Sequence, residues 1–336
     1  MNGSIRRLAE RSPRLRRTRR RLEHAALDGV VRVAQWSAKR LSLEQTLGLG
    51  DRVGAFLYRV LGASRRRALQ HLASAFGDEL TPAGRERLAR AAFINLARCF
   101  GELLKIDEIR ARRATYFEVD GAEHLQRALA HGAGALLVTG RSGNWELVAA
   151  YFAWQALPVA AIARRLRSGR VNRLLTGFRS RQGMETVVRE SPSFSRRIVQ
   201  ARRSNTLLAM VIDPDGGAVS NAAPLFGRVA RPPAAAASLA MRYEIPVVVA
   251  VIQRRPQGGH RISLCSPIYP EAGVELTEIK RSLTRRVGDL LEGQLRGNPA
   301  EWTWWRRRER RAAAGHLDLG GHFQYTNQDA VLRRRG

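Results

Sequence analysis

The residues with the clearest chemical potential lie between 136 and 148, where the chain reads Leu-Leu-Val-Thr-Gly-Arg-Ser-Gly-Asn-Trp-Glu-Leu-Val. An apolar run breaks at Gly140, a second glycine follows at Gly143, and Glu146 stands at the start of a helical pattern. Glycines at this spacing allow a tight turn and let the backbone come close to a ligand. The first N–H groups of the following helix lack intrahelical acceptors and carry partial positive charge. Glu146 supplies a carboxylate for acid–base or orienting work. Arg141, five residues earlier, cannot serve as a base near neutral pH but can hold an anion. Ser142 is the hydroxyl nearest Glu146. With no histidine to activate it, capping the helix at 143–144 is its expected role. The bland alternative is a routine strand–turn–helix joint in which Glu146 only complements the helix dipole.

The elements around this stretch change character along the chain. Residues 22–62 read as helices, with Leu27, Val30, Val31, Ala34 and Trp36 on an apolar stripe broken by Arg32, Lys39 and Arg40. That pattern suits a helix lying on a bilayer surface or one packed on the domain. A helical hairpin follows, one arm at 64–76 and the other opened by Thr81-Pro82 and running to about 106. In the second arm Leu88, Ala92, Asn95, Leu96, Cys99 and Leu103 recur at helical spacing. After about 114, short apolar runs alternate with helical patterns. Strands are expected at 116–119, 135–139, 158–163, 185–188, 206–212, 246–252 and 261–265. Helices are expected at 122–131, 144–156, 169–182, 192–202, 234–243 and 276–296. This alternation predicts an α/β fold, a central mixed sheet flanked by helices. The expected organisation is a basic disordered arm at 1–22, a membrane-associating helical preamble at 23–113, the α/β domain at 114–311 and a flexible tail at 312–336.

Composition bounds the chemistry. The 336 residues carry 58 basic and 29 acidic side chains, a formal charge of +29, and 44% are hydrophobic, enough for a substantial core. The two cysteines, Cys99 and Cys265, lie far apart and lack metal-ligand spacing, so neither a zinc site nor a disulfide framework is expected. No cofactor is implied. Only Lys39, Lys105 and Lys280 are lysines, a skew that a GC-rich genome produces without functional purpose. The field is real in either case and attracts anionic lipid, acidic protein or nucleic acid. Nine arginines fall within residues 1–21, and Arg306, Arg307, Arg308, Arg310 and Arg311 follow Trp302, Trp304 and Trp305. Tryptophan beside arginine suits a membrane interface, stacking on single-stranded bases, or a buried pair at a helix end. No run of about 20 residues is free of charge, so no ordinary spanning helix is expected.

Residues 139–146, Thr-Gly-Arg-Ser-Gly-Asn-Trp-Glu, resemble the Thr-Gly-His-x-Gly-Asn-Trp-Glu block of the late lipid A biosynthesis acyltransferases, the lauroyl/myristoyl acyltransferase family. Arg65 to Phe76, Thr81–Glu86 and Phe93–Glu102 are similar to the family's helical preamble. Arg179-x-x-x-Gly183, Asp213 at the end of an apolar strand, Pro224-Leu225-Phe226-Gly227-Arg228 and Pro299-Ala300-Glu301-Trp302-Thr303-Trp304 follow in family order. The resemblance implies a glycerolipid-acyltransferase-like fold. It also implies transfer of a fatty acyl group from acyl carrier protein, or acyl-CoA, to a hydroxyl of a lipid A precursor or a related glycolipid or lysophospholipid at the cytoplasmic face of the inner membrane. Partners would then be acyl carrier protein, a lipid acceptor and an anionic membrane surface, with no specific nucleic acid.

The resemblance places Glu146, Arg141 and Asp213 as catalytic candidates, with Gly143, Asn144, Arg179, Phe226, Gly227 and Arg228 at the substrate. Arg141 stands where the family has its histidine, and Arg306 where a second histidine is frequent. One reading keeps the enzyme, with a base supplied from elsewhere, His131 or Asp213. A second is a catalytically inactive lipid- or acyl-carrier-protein-binding relative in which Arg141 pairs with Glu146 one turn away. A third is a nucleic-acid binder that keeps the likeness as a relic. Arg179 holds a phosphate or carboxylate of the substrate, or is a solvated side chain beside Arg181. Asp213-Pro214-Asp215-Gly216 is also a plain turn sequence, and Phe226-Gly227-Arg228 either closes over a carbonyl or forms a hairpin turn.

Overall fold

The structure, a computed structural model, describes residues 39–165, 169–212, 223–225, 228–230, 235–270 and 276–305, together with 29, 36 and 37. The basic arm expected at 1–22 and the tail expected at 312–336 lie outside these residues, as do Asp213, Phe226, Gly227 and Arg306.

Among the described residues a helical layer comes first: α1 (Leu43–Val60), α2 (Gly62–Phe76) and α3 (Pro82–Leu104). Ser42 starts α1 with a capping box, its hydroxyl accepting from Gln45 N at 3.1 Å while Gln45 Oε1 accepts from Ser42 N at 2.9 Å. Thr81 caps α3 through Gly84 N at 3.1 Å, and Pro82 occupies the first turn, where its missing N–H costs nothing. Small residues bring α1 and α3 together: a Cβ on Gly54 would stand 2.4 Å from Ile94 Cα.

Two short helices, α4 (Ile106–Ala111) and α5 (Arg113–Tyr116), lead into β1 (Phe117–Asp120). Then come α6 (Ala122–Ala130), β2 (Ala135–Thr139), α7 (Trp145–Trp154), β3 (Val159–Ala163), α8 (Gly169–Arg181), β4 (Met184–Val188), α9 (Phe194–Arg203) and β5 (Leu207–Val211). A small hairpin, β6 (Ala223–Leu225) and β7 (Arg228–Ala230), precedes α10 (Ala235–Tyr243), β8 (Val247–Arg254), β9 (His260–Leu264) and α11 (Leu276–Gly297). A 3₁₀ turn at Pro299–Glu301 follows.

Seven strands form one mixed sheet in the order β1-β9-β8-β2-β5-β3-β4. Strands β8, β2, β5, β3 and β4 are mutually parallel, and β9 turns back antiparallel against β8. Every residue of β2 is buried, as expected for a parallel strand covered on both faces. Its side chains alternate between the two cores. Ala135 and Leu137 face the cluster that holds Leu147, Phe152 and Leu125, whereas Leu136 and Val138 face Ile198, Ala237, Ala240 and Val287.

The expected α/β architecture is present, and element boundaries agree with the pattern of apolar runs to about two residues. The hairpin β6–β7 has no strand-like pattern in the sequence; Leu225 pairs with Arg228, which leaves Phe226 and Gly227 between the strands. The tryptophans also resolve. Trp304 is 3% exposed, packed edge-on against Phe76 at 5.8 Å, with Trp305 against Phe93 at 4.2 Å. Its indole donates to Pro299 O at 2.7 Å. Trp304 is therefore core of the helical layer, which corrects the membrane-interface and base-stacking readings for that ring.

Candidate active site

The turn after β2 stands at the carboxyl ends of the parallel strands, where α/β sheets form their crevices. Gly143 has φ +56°, in the left-handed region. A Cβ there would stand 2.5 Å from Ile252 O and 2.8 Å from Glu301 Oε2, so only glycine fits. Its N–H donates to Glu301 O at 3.1 Å, and the Cys99 thiol donates to its carbonyl at 3.4 Å. Ser142 forms an isolated antiparallel bridge with Trp302. The turn is thus gripped by α3, β8 and the 3₁₀ turn, three segments far apart in sequence.

Glu146 sits in the first turn of α7 and Arg179 in the last turn of α8, each favoured there by the helix dipole. Arg179 donates Nε to Oε2 at 3.0 Å and Nη2 to Oε1 at 2.7 Å, a bidentate pair whose side chains are only 13% and 12% exposed. Glu146 is therefore held by Arg179 and not by Arg141. This corrects the Arg141–Glu146 pair of the inactive-relative reading, and it also removes the solvated reading of Arg179. The half-buried Arg141 has its guanidinium 5.6 Å from the centre of the Trp145 ring.

Other candidates fall differently. Asn144 is 2% exposed and turned inward: Nδ2 donates to Cys99 O at 3.2 Å and to Glu102 Oε2 at 2.9 Å. Ser142 does not cap α7; the N-cap is Asn144, whose side chain makes no capping bond, and the Ser142 hydroxyl is buried. His131 ends α6 before β2 begins, so the whole strand, roughly 17 Å at about 3.3 Å per residue, separates it from the turn. It packs on Tyr269 and is excluded as the missing base. Asp213, Phe226 and Gly227 lie outside the described residues, and Arg228 is described in its backbone only.

Beneath the turn lies a polar cluster that the sequence reading missed. Glu102 is fully buried, and its carboxylate accepts from Tyr116 Oη at 2.9 Å, Arg254 Nη1 at 2.5 Å and Nη2 at 3.2 Å, and Asn144 Nδ2. His260 Nε2 stands 2.8 Å from the same Oε1. Burial alone would push the Glu102 carboxyl up, but His260 and the Arg254 guanidinium outweigh it and hold it well below the usual carboxylate range. Burial pushes the Cys99 thiol up, so it acts here as a small donor and not as a nucleophile. Burial also raises Glu301, whose Oε1 accepts from Arg254 N at 2.8 Å and Asn298 Nδ2 at 2.6 Å. The sequence did hold one signal: Asn95 and Glu102 fall seven apart on the apolar face of α3, where a polar residue needs an internal partner. Among the described residues no group of His, Cys, Asp or Glu has metal-binding geometry.

Chemically, the arrangement offers a fixed carboxylate and a cation at the rim of a glycine turn, mounted on a charge-compensated base. Such a constellation lies at the carboxyl edge of a helix-flanked sheet, where α/β proteins form their sites. The chain belongs to the bacterial lipid A biosynthesis acyltransferase family, whose model matches residues 15–311, and is an acyltransferase acting on lipids. It is 24% identical over 220 residues to the phosphatidylinositol mannoside acyltransferase of Mycolicibacterium smegmatis, a match covering 64% of this chain and 70% of that one. It is 22% identical over 188 residues to the phosphatidylinositol mannoside acyltransferase of Mycobacterium tuberculosis, covering 55% of this chain and 57% of that one. The chain thus spans little more than half the length of the tuberculosis relative.

Proposed function

We propose that this enzyme moves a fatty acyl group from a thioester donor, acyl carrier protein or acyl-CoA, to a hydroxyl of a glycolipid at the inner membrane. A lipid A precursor and a mannosylated phosphoinositide are the acceptor classes suggested by the family and by the names of its relatives. The observation that carries the proposal is the bidentate Glu146–Arg179 pair at the start of the helix that follows the glycine turn. Glu146 takes the acceptor hydroxyl's proton as the oxygen attacks the thioester carbonyl. Arg141 faces the oxyanion of the tetrahedral intermediate, a stabilisation that is usually a large part of acyl-transfer catalysis. The C–O ester bond forms, the C–S bond breaks, and the proton passes to the departing thiolate. Arg179 keeps the carboxylate in one orientation.

A surface of the helical layer supports work at a membrane. Leu49, Val53, Phe56 and Val60 recur along α1 at intervals of four, three and four, and are between 40% and 61% exposed. Phe100 and Leu104 on α3 and Leu61 are exposed as well, and Arg52 and Arg59 flank the stripe. Among the described residues no helix is long and apolar enough to cross a membrane, so an apolar stripe edged by arginine is read as an interfacial contact with anionic lipid.

The test is thiol release from a long-chain acyl thioester in the presence of glycolipid acceptor, with product mass recorded, for wild type, Glu146→Ala and Arg141→His. Wild type is expected to turn over, and Glu146→Ala to lose about 10²–10⁴-fold, the range of general acid–base catalysis. No turnover in wild type, with turnover appearing in Arg141→His, would establish the inactive-relative reading instead.

A further inference from the structure

The carboxylate at the centre of the Glu102 cluster is fully buried, yet its bonding is more elaborate than packing requires. The cluster's members come from α3 (Asn95, Cys99, Glu102), the end of α5 (Tyr116), β8 (Arg254), β9 (His260) and the residue that starts α7 (Asn144). A buried carboxylate with a single guanidinium partner is already charge-balanced. The additional bond from Glu102 to Asn144 reaches into the catalytic turn.

Asn144 is an effective side-chain cap by residue type, and its place at the start of α7 would let it serve as one. Its amide is spent downward on Cys99 O and Glu102 Oε2 instead. The neighbouring Gly143 is held by its own N–H to Glu301 O and by the Cys99 thiol at its carbonyl. Arg141 lies two residues before this anchored pair and Glu146 two residues after it. Both candidate groups therefore inherit their placement from bonds made by residues 143 and 144.

We propose that Glu102 is a positioning residue of the acyl-transfer reaction, fixing through Asn144 the turn that carries Arg141 and Glu146. The helical layer then serves as the mount of the active site in addition to its membrane contact: one face of α3 presents Phe100 and Leu104 outward, and the opposite face holds the turn. This inference rests on the acyl-transfer reading for its consequence in rate, but not for its consequence in structure.

The experiment compares Asn144→Ala with Tyr116→Phe. The first deletes the bond between Glu102 and the turn. The second deletes another bond to the same carboxylate, Tyr116 Oη to Oε1 at 2.9 Å, and leaves the turn tied. Neither removes the Arg254–Glu102 ion pair, so both variants are expected to fold. Each is assayed for kcat and KM with the acyl thioester, for thermal melting, and for the ¹⁹F resonance of Trp145 in 5-fluorotryptophan-labelled protein, assigned by Trp145→Phe. Asn144→Ala is expected to lower kcat about 10²-fold with little change in KM, the usual cost of misplacing a reacting group by about 1 Å, and to shift or broaden the Trp145 signal. Tyr116→Phe is expected to melt earlier to a similar degree yet keep kcat within about threefold, a merely structural effect, with an unmoved Trp145 signal. Wild-type kcat and an unmoved signal in Asn144→Ala would overturn the proposal, as would equal losses of kcat in the two variants. An inactive wild type whose Trp145 signal still responds only to Asn144→Ala would remove the acyl-transfer reading and leave the positioning of the turn standing.

Discussion

Gly143→Ala tests the clamp on the turn most directly, because the structure supplies both the penalty and its control. At Gly143 φ is +56°, and the added methyl would stand 2.5 Å from Ile252 O, 2.8 Å from Glu301 Oε2 and 3.2 Å from Ile252 Cγ2. The conformational part of the cost is about 1–2 kcal/mol for a non-glycine residue in the left-handed region. The steric part involves a strand carbonyl that cannot rotate away, and overpacking of this kind typically costs about 1–3 kcal/mol. Gly183 has φ +81° and nothing within 4 Å of the corresponding Cβ, so Gly183→Ala carries the first cost without the second. Urea unfolding should therefore show Gly143→Ala destabilised by roughly 2–5 kcal/mol and Gly183→Ala by about 1–2 kcal/mol. Acyl transfer should fall only in Gly143→Ala. Equal destabilisation of the two variants, or full activity in Gly143→Ala, would refute the idea that the turn is gripped by β8 and the 3₁₀ turn.

Glu102 and Glu301 impose opposite pH dependences. The native pKa of Glu102 lies below its ordinary 4.5, so its contribution to stability is complete above that value and is lost as pH falls below it. Glu301 is raised, so its contribution is complete below 4.5 and fades as pH rises through its native value. Acid titration of stability in Glu102→Gln should lose the first arm, and the variant should be weaker by about 3–5 kcal/mol at neutral pH because Arg254 is left buried without its anion. Arg179→Met should leave Glu146 at a site where it is only 12% exposed and lower kcat without abolishing folding, and a circular-dichroism melt beside the kinetics separates the two effects. For the membrane contact, Val53→Asp with Phe56→Asp should weaken cosedimentation with anionic vesicles at least 10-fold, since burying each such apolar side chain is worth about 1.5–3 kcal/mol. Unchanged cosedimentation would assign the stripe to another partner.

Much of this molecule was legible from residue order alone. The apolar run at 135–138 and the break at Gly140 located the central strand and the turn, because a strand covered on both faces shows no polar alternation and glycine ends it. Thr81-Pro82 marked the start of α3, because capping and first-turn proline are local chemistry. The block at 139–146 carried the family. The partner of Glu146 was not legible. Arg141 is near in sequence, but Arg179, 33 residues away, comes into contact where the last turn of α8 meets the first turn of α7. Nor was the Glu102 cluster, whose members meet across 158 residues of chain. Local patterns report which face of an element is apolar, and so they determined the elements and their order. Which buried charges neutralise each other depends on how those elements stack, because a charge taken out of water needs a partner within a few ångströms in space and not in sequence. That requirement was met only when the sheet closed over α3 and placed Arg254, His260 and Asn144 around one carboxylate.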